Sequence, residues 1–362
     1  MVFLTSNSSL TMRTFFATAL ASTALLGVSA SPSLSLSLVT PESVSDIEDF
    51  SVIAIVKNTG NETLKLLKDP RGVLSSAKTH TFNVASEKGS PQFTGMFIKY
   101  SPDAAVRKNN AASFTVLEPG QSFEITHSLA GVYNFTNTGA GSFKLDTLSN
   151  VFEYVDASGK LATIEATTES KKVGVSGKLV STRDLPRVEA RSLGKRAYVG
   201  CSSTQQSQIA TAAKSANEYV TAASSYLDGI KSGTTRYTTW FGTYTTDRAS
   251  TVRSHFSSIG TDATSVTFDC STCTVDAFAY VYADDPTRVY LCRSFWEASN
   301  TGTDSRAGAI VHELSHFTVN GGTEDHAYGH TLAKNLAQSD PARAIMNADS
   351  HEYFAENTPS LS

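Results

Sequence analysis

Cysteine is scarce in this chain, four residues in 362, and none precedes Cys201. The N-terminal half therefore has no thiol with which to bind a metal. An even count confined to Cys201, Cys270, Cys273 and Cys292 suits two disulfides in an exported protein. A four-cysteine zinc site is disfavoured, because Cys270-Ser271-Thr272-Cys273 has no second close pair to complete it. Long apolar runs are equally scarce. The one over residues 15–28 leads into Val28-Ser29-Ala30; it is too short for a comfortable membrane span, and no later segment approaches its length. Residues 1–30 read as a secretory signal cleaved after Ala30, with Met12 an alternative start. Excess positive charge is also missing, the net charge being −4. Residues 197–362 carry 10 Lys+Arg against 17 Asp+Glu, net −7, and residues 1–196 the remaining 20 against 17, net +3. An acidic C-terminal half argues against nucleic acid and for cationic peptides as ligands. Opposite signs suit two parts that associate before they separate. The expectation is a secreted, extracellular protein with no membrane or nucleic-acid partner, monomeric when mature.

What the chain does have is His312-Glu313-Leu314-Ser315-His316. Residues four apart share one face of a helix about 5–6 Å apart, so His312 and His316 can offer two imidazole nitrogens to one Zn²⁺. Glu313 then stands beside the metal without binding it, where a general base belongs in a zinc peptidase. The flanks predict a helix: Asp304 is placed to cap it, Ala307, Ile310, Val311, Leu314 and Phe317 form an apolar stripe, and Gly321-Gly322 stops it. The metzincin pattern is excluded, since Val319 and Gly322 stand where its Gly and His are required. The next donors, Glu324, Asp325 and His326, are adjacent, and any of the three can supply the third ligand. Tyr328 is placed to donate its phenol to the oxyanion of a tetrahedral intermediate.

Length and 40% apolar content support two domains. From 31 to 180, short runs alternate apolar and polar positions, as in Phe50, Val52, Ala54 and Val56, followed by Asn58-Thr59-Gly60-Asn61. With further runs near 82–84, 96–100, 114–117, 123–125 and 173–175, this predicts an antiparallel β-sandwich. Asn61-Glu62-Thr63 and Asn134-Phe135-Thr136 are glycosylation sequons. His80 and His127 are isolated and read as structural. Residues 181–196 form a basic linker ending in Lys195-Arg196, a dibasic pair suited to a processing enzyme. Residues 31–180 thus read as a propeptide domain that assists folding and keeps the enzyme latent. In 197–362 a long helix begins at Ser202 or Ser203, with Ile209, Ala213, Ala216, Val220, Ala223, Leu227 and Ile230 at helical steps. A second helix is expected over 247–258, strands near 265–270, 277–282 and 288–292, then the His312 helix, one after Tyr328 and one near Pro341. The fold class is α+β, a helical layer over a small sheet.

His312-Glu313-Leu314-Ser315-His316 with Gly322-Thr323-Glu324-Asp325-His326-Ala327-Tyr328-Gly329 resembles the aspzincin signature of the deuterolysin family, fungal zinc metalloendopeptidases. The resemblance implies Asp325 as third ligand of one zinc per chain, Glu313 as general base, Tyr328 as oxyanion donor, and pairing of Cys201 with Cys270 and Cys273 with Cys292. Over 197–362 it narrows to the peptidyl-Lys metalloendopeptidases of mushrooms, through Gly200-Cys201-Ser202-Ser203, Arg236-Tyr237-Thr238-Thr239-Trp240-Phe241-Gly242 and Asn347-Ala348-Asp349. That implies an acidic pocket of Asp349 and Glu352, three residues apart, which selects lysine on the amino side of the new product. Two other readings stand beside it: a broader deuterolysin acting on basic proteins, and a secreted binding module with structural zinc. The second is disfavoured because a structural site closes with four protein ligands.

Overall fold

The computed structural model describes Met1 and residues 31–181 and 197–362. The expected signal sequence, its cleavage after Ala30, and the Lys195-Arg196 processing site lie outside the described residues. Among these residues no helix is long and apolar enough to cross a membrane. The protein is a mixed α/β structure.

In the N-terminal part, Leu34–Val39 buries Leu34, Leu36 and Leu38 and turns Ser35 and Ser37 away, the two-residue period of a strand with one face on a core. It belongs to a seven-stranded sheet in the order Phe114–Leu117, Leu64–Leu67, Val151–Val155, Leu161–Thr168, Leu34–Val39, Ser51–Asn58, Ser122–Ser128. A four-stranded sheet runs Ser43–Asp46, Lys171–Lys178, Gly141–Thr147, Phe82–Ala85. Leu36, Val52 and Val56 of the first and Phe143, Val173 and Val175 of the second share one apolar cluster. The first sheet interleaves strands from before residue 97 with strands from after it, so neither segment completes the sheet alone.

The C-terminal part holds a five-stranded sheet in the order Tyr198–Val199, Thr267–Asp269, Arg288–Leu291, Ala279–Val281, Phe97–Lys99. Its last strand comes from the N-terminal part and pairs antiparallel with Ala279–Val281, Lys99 opposite Ala279 and Ile98 opposite Tyr280. Helices cover this sheet. Ser203–Gly229 starts at a capping box of Ser202 and Gln205, Thr246–Ile259 follows, and the short Thr235–Phe241, which periodicity did not reveal, stands between them. The central helix is Arg306–His316. Its cap is Ser305, whose Oγ accepts from Gly308 N at 2.9 Å, and not Asp304 as expected. Asp304 has φ 51°, which turns its carboxylate away from the helix toward Lys99 and Ser101. Ile310, Val311, Leu314 and Phe317 are fully buried, each side chain stabilising the packing by about 1.5–3 kcal/mol. After it come Gly329–Ser339, Pro341–Ala344 and Ala348–Glu356. Cys201 is bonded to Cys270 and Cys273 to Cys292.

Candidate active site

His312 and His316 lie one turn apart on Arg306–His316, and Asp325 returns to them after the turn at Gly322, a glycine with φ 56°. Asp325 Oδ1 is 3.1 Å from His312 Nε2 and 3.3 Å from His316 Nε2, and the three donor atoms lie within 4.8 Å of one another. His316 Nδ1 is 2.8 Å from the Thr323 carbonyl, to which it must donate. That leaves Nε2 as a lone pair, and this atom is buried with no hydrogen-bond partner. An orphaned imidazole nitrogen facing a second imidazole and a carboxylate fits a zinc ion's preferred donors. Of the three adjacent candidates, Asp325 alone joins the histidines. His326 Nδ1 lies against Arg343 at 3.1 Å, and the Glu324 backbone bridges to Met346 and Ala348.

The cleft beside these donors is filled by residues 97–99. Lys99 N donates to Glu313 Oε1 at 2.8 Å, and the Tyr328 hydroxyl donates to the Ile98 carbonyl. The two groups expected to handle the leaving nitrogen and the carbonyl oxygen therefore flank one peptide bond, Ile98–Lys99. Ile98 N donates to Asp325 Oδ2 at 2.9 Å, and the Phe97 ring stacks on His316 at 4.6 Å between centroids. The Lys99 side chain is fully enclosed. Its Nζ lies 2.8 Å from Glu352 Oε2, 3.0 Å from Asp349 Oδ1 and 3.1 Å from Asp304 Oδ1. Asp349 and Glu352 also crowd His312 Nδ1, at 2.9 and 3.2 Å. Neither contact is aligned as a hydrogen bond, since that nitrogen has no partner by geometry. The second potential metal cluster, His312 with Asp349 and Glu352, is thus a place where an ammonium sits.

Charge in this closed space is governed by Lys99. Burial works against its ammonium, but Asp349 and Glu352 outweigh burial and hold its pKa well above the usual lysine value. Burial pushes against ionisation of Asp349 and Asp304 as well, yet Lys99 keeps both below the ordinary carboxylate range. For Glu352 burial prevails and raises the pKa. Burial likewise lifts Glu313 well above the usual value.

Sequence reasoning missed Lys99, Asp304 and Arg71. Arg71 donates to the Asp325 carbonyl at 3.0 Å and lies over the Tyr328 ring at 3.8 Å, while paired with Asp69. No local pattern marks their part in the site, because the site residues they meet there, Asp325 and Tyr328 for Arg71, and Asp349, Glu352 and Tyr353 for Lys99 and Asp304, lie more than 40 positions away. The helical placement of Asp349 and Glu352 within Ala348–Glu356 agrees with expectation. Neither His80 nor His127 joins a metal-type cluster among the described residues, but His80 borders the same cavity as Asp325 and Phe97.

The family profile described as lysine-specific metallo-endopeptidase, aspzincin, matches residues 226–356. The peptidyl-Lys metalloendopeptidase of Grifola frondosa is 47% identical over 340 residues, 93% of this chain and 96% of that protein. The Pleurotus ostreatus enzyme of the same name is 54% identical over 165 residues, 45% of this chain and 98% of that protein. An extracellular protease of Aeromonas hydrophila is 37% identical over 86% of this chain and 89% of its own length. The solved zinc peptidase from Grifola frondosa covers 45% of this chain and 100% of that structure, with 53% identity and a TM-score of 0.44. Its sequence, matched almost end to end by relatives of this kind, makes the chain a member of the aspzincin family of metalloendopeptidases.

Proposed function

We propose that this chain is the precursor of a secreted zinc endopeptidase that hydrolyses Xaa-Lys bonds, with lysine on the amino side of the new product. The carrying observation is Ile98–Lys99: its peptide bond lies between Glu313 and Tyr328 while its ammonium is bound by Asp304, Asp349 and Glu352. The likeness to peptidyl-Lys metalloendopeptidases supports the same reading.

His312, His316 and Asp325 would hold one zinc, which when bound would supply Lewis-acid chemistry to water and to the substrate carbonyl. Glu313 takes a proton from the attacking water and returns it to the leaving nitrogen, the atom its Oε1 already contacts. Tyr328 keeps its hydrogen bond to the carbonyl oxygen as negative charge grows there. Asp349 and Glu352, with Asp304 as a third carboxylate, bind the lysine ammonium. The pocket is sealed around Lys99, so a longer guanidinium would have to displace one of them.

The domain reading follows. Residues 1–30 are the secretory signal, 31–180 a β-sandwich propeptide, 181–196 the linker cut after Lys195-Arg196, and 197–362 the peptidase. The family match within 226–356 and the relative that corresponds to only 45% of this chain support a self-sufficient C-terminal enzyme. The propeptide keeps the enzyme latent by filling the lysine pocket with Lys99. Sugar on Asn61, which is exposed, and on Asn134 suits an exported protein, monomeric when mature. The test is a peptide map: the processed enzyme should digest a denatured protein rich in both Lys and Arg into fragments that begin with Lys. Chelation or Glu313→Gln should stop it. Scattered fragment termini would refute the lysine preference, and no digestion would refute the peptidase.

A further inference from the structure

We propose that Ile98–Lys99 is a self-cleavage site, the first bond the enzyme hydrolyses, within its own N-terminal part. This rests on the lysine-directed peptidase reading above and extends it to a substrate inside the same chain. A plug need only fill a pocket. Here the lysine is seated, and both ends of its peptide bond also meet the groups that would break it, Ile98 O at Tyr328 and Lys99 N at Glu313. The segment is held in one register by three ladder partners, Phe97 with Val281, Ile98 with Tyr280 and Lys99 with Ala279. Phe278 N adds a bond to the Lys99 carbonyl at 2.9 Å. A cavity of about 350 Å³ lies alongside, bordered by Phe97 and Asp325.

The step balances with water as the only co-reactant. Its oxygen bonds to the Ile98 carbonyl carbon, the carbon–nitrogen bond to Lys99 breaks, and Glu313 carries one proton from the water to the Lys99 nitrogen. Ile98 ends as a carboxylic acid and Lys99 as a new amine, and passage of the acid's proton to that amine leaves a carboxylate and an ammonium terminus. The nick alone releases nothing. Leu34–Val39, Ser51–Asn58 and Leu64–Leu67, from before the cut, are interleaved in one sheet with four strands from after it. The two pieces remain one folded body, and the new terminus stays near the pocket. Because bond and catalytic groups share one chain, the cut is unimolecular.

The experiment uses the full-length chain prepared without metal, given zinc, then quenched in denaturant at intervals, with fragment masses and amino-terminal sequences read. A fragment beginning Lys99-Tyr100-Ser101 is expected, formed at a rate that does not change on dilution and absent from Glu313→Gln. Native sizing should show the nicked protein still eluting as one species. Two results overturn the proposal. One is an intact Ile98–Lys99 bond in zinc-treated protein that, once processed at Arg196, hydrolyses a free Xaa-Lys peptide. The other is a cut whose rate scales with protein concentration. If the processed protein hydrolyses no Xaa-Lys peptide, the lysine-peptidase reading has failed, and this proposal falls with it.

Discussion

The Tyr353 hydroxyl donates to Asp304 Oδ1 at 2.8 Å, which fixes a carboxylate from the loop before Arg306–His316 against a ring from Ala348–Glu356. Asp304 is thereby oriented toward the lysine ammonium at the back of the pocket.

Asp304→Asn should therefore weaken lysine recognition. Loss of one charged contact to a buried ammonium costs about 1.5–3 kcal/mol, roughly 10- to 150-fold in kcat/KM for an Xaa-Lys peptide. An Xaa-norleucine peptide, with no ammonium, should be cut as before, slowly. Kinetics of the processed enzyme on the two peptides separate a role in recognition from a general loss of structure, which would lower both.

Tyr328→Phe removes the donor to the scissile carbonyl and leaves the ring that packs under Arg71. If that hydrogen bond strengthens as charge develops, kcat should fall by about 10²–10³ with little change in KM. A rise in KM at unchanged kcat would assign the phenol to ground-state binding.

Gly308 lies in the first turn of Arg306–His316, and a Cβ there would sit 2.0 Å from Glu356 Oε1. That oxygen accepts from Ser305 N and Oγ at 2.9 and 2.7 Å, latching the start of the helix that carries both histidines. Gly308→Ala should displace a buried carboxylate and destabilise the fold by about 1–3 kcal/mol. Thermal unfolding of the processed enzyme reads this as a lower Tm.

His255 Nδ1 and His351 Nε2 face each other at 3.0 Å, and His351 Nδ1 is 3.0 Å from the Asn347 carbonyl. Burial, then the neighbouring His255, pushes His351 down to about 3 from an ordinary 6.5, and burial lowers His255 as well. Both are neutral in the folded state, while the unfolded chain takes up protons below pH 6.5. Their contribution to stability should be complete above pH 6.5 and should drain away as pH falls toward 3. Urea midpoints across that window should fall less steeply in His351→Gln than in the unaltered protein.

His312, Glu313 and His316, and the pair Asp349 and Glu352, were legible because fixed spacing on a helix makes them neighbours. Spacing left Glu324, Asp325 and His326 open as third donor, and only the resemblance to the aspzincin signature pointed to Asp325. Alternation pointed to the strands Ser51–Asn58, Phe82–Ala85, Phe114–Leu117, Ser122–Ser128 and Lys171–Lys178, but Leu34–Val39, Ser43–Asp46, Gly141–Thr147, Val151–Val155 and Leu161–Thr168 were not singled out. The run at 96–100 was read as a strand, yet its pairing with Ala279–Val281 was not, because ladder partners 180 residues apart leave no mark in local periodicity. Asp304 was misread for a related reason. Its place before a helix made it look like a cap, but Ser305 takes that position, and only the folded chain brings Lys99 to the freed carboxylate.

On the proposed removal of residues 97–99, Ala279–Val281 would become a bare sheet border with its hydrogen-bonding groups open to incoming chain. Only a stretch that can lie extended for about three residues will dock there, so lysines inside intact helices should resist attack until their host unfolds. On that reading the border strand would make the enzyme a reader of local unfolding as well as of side-chain charge.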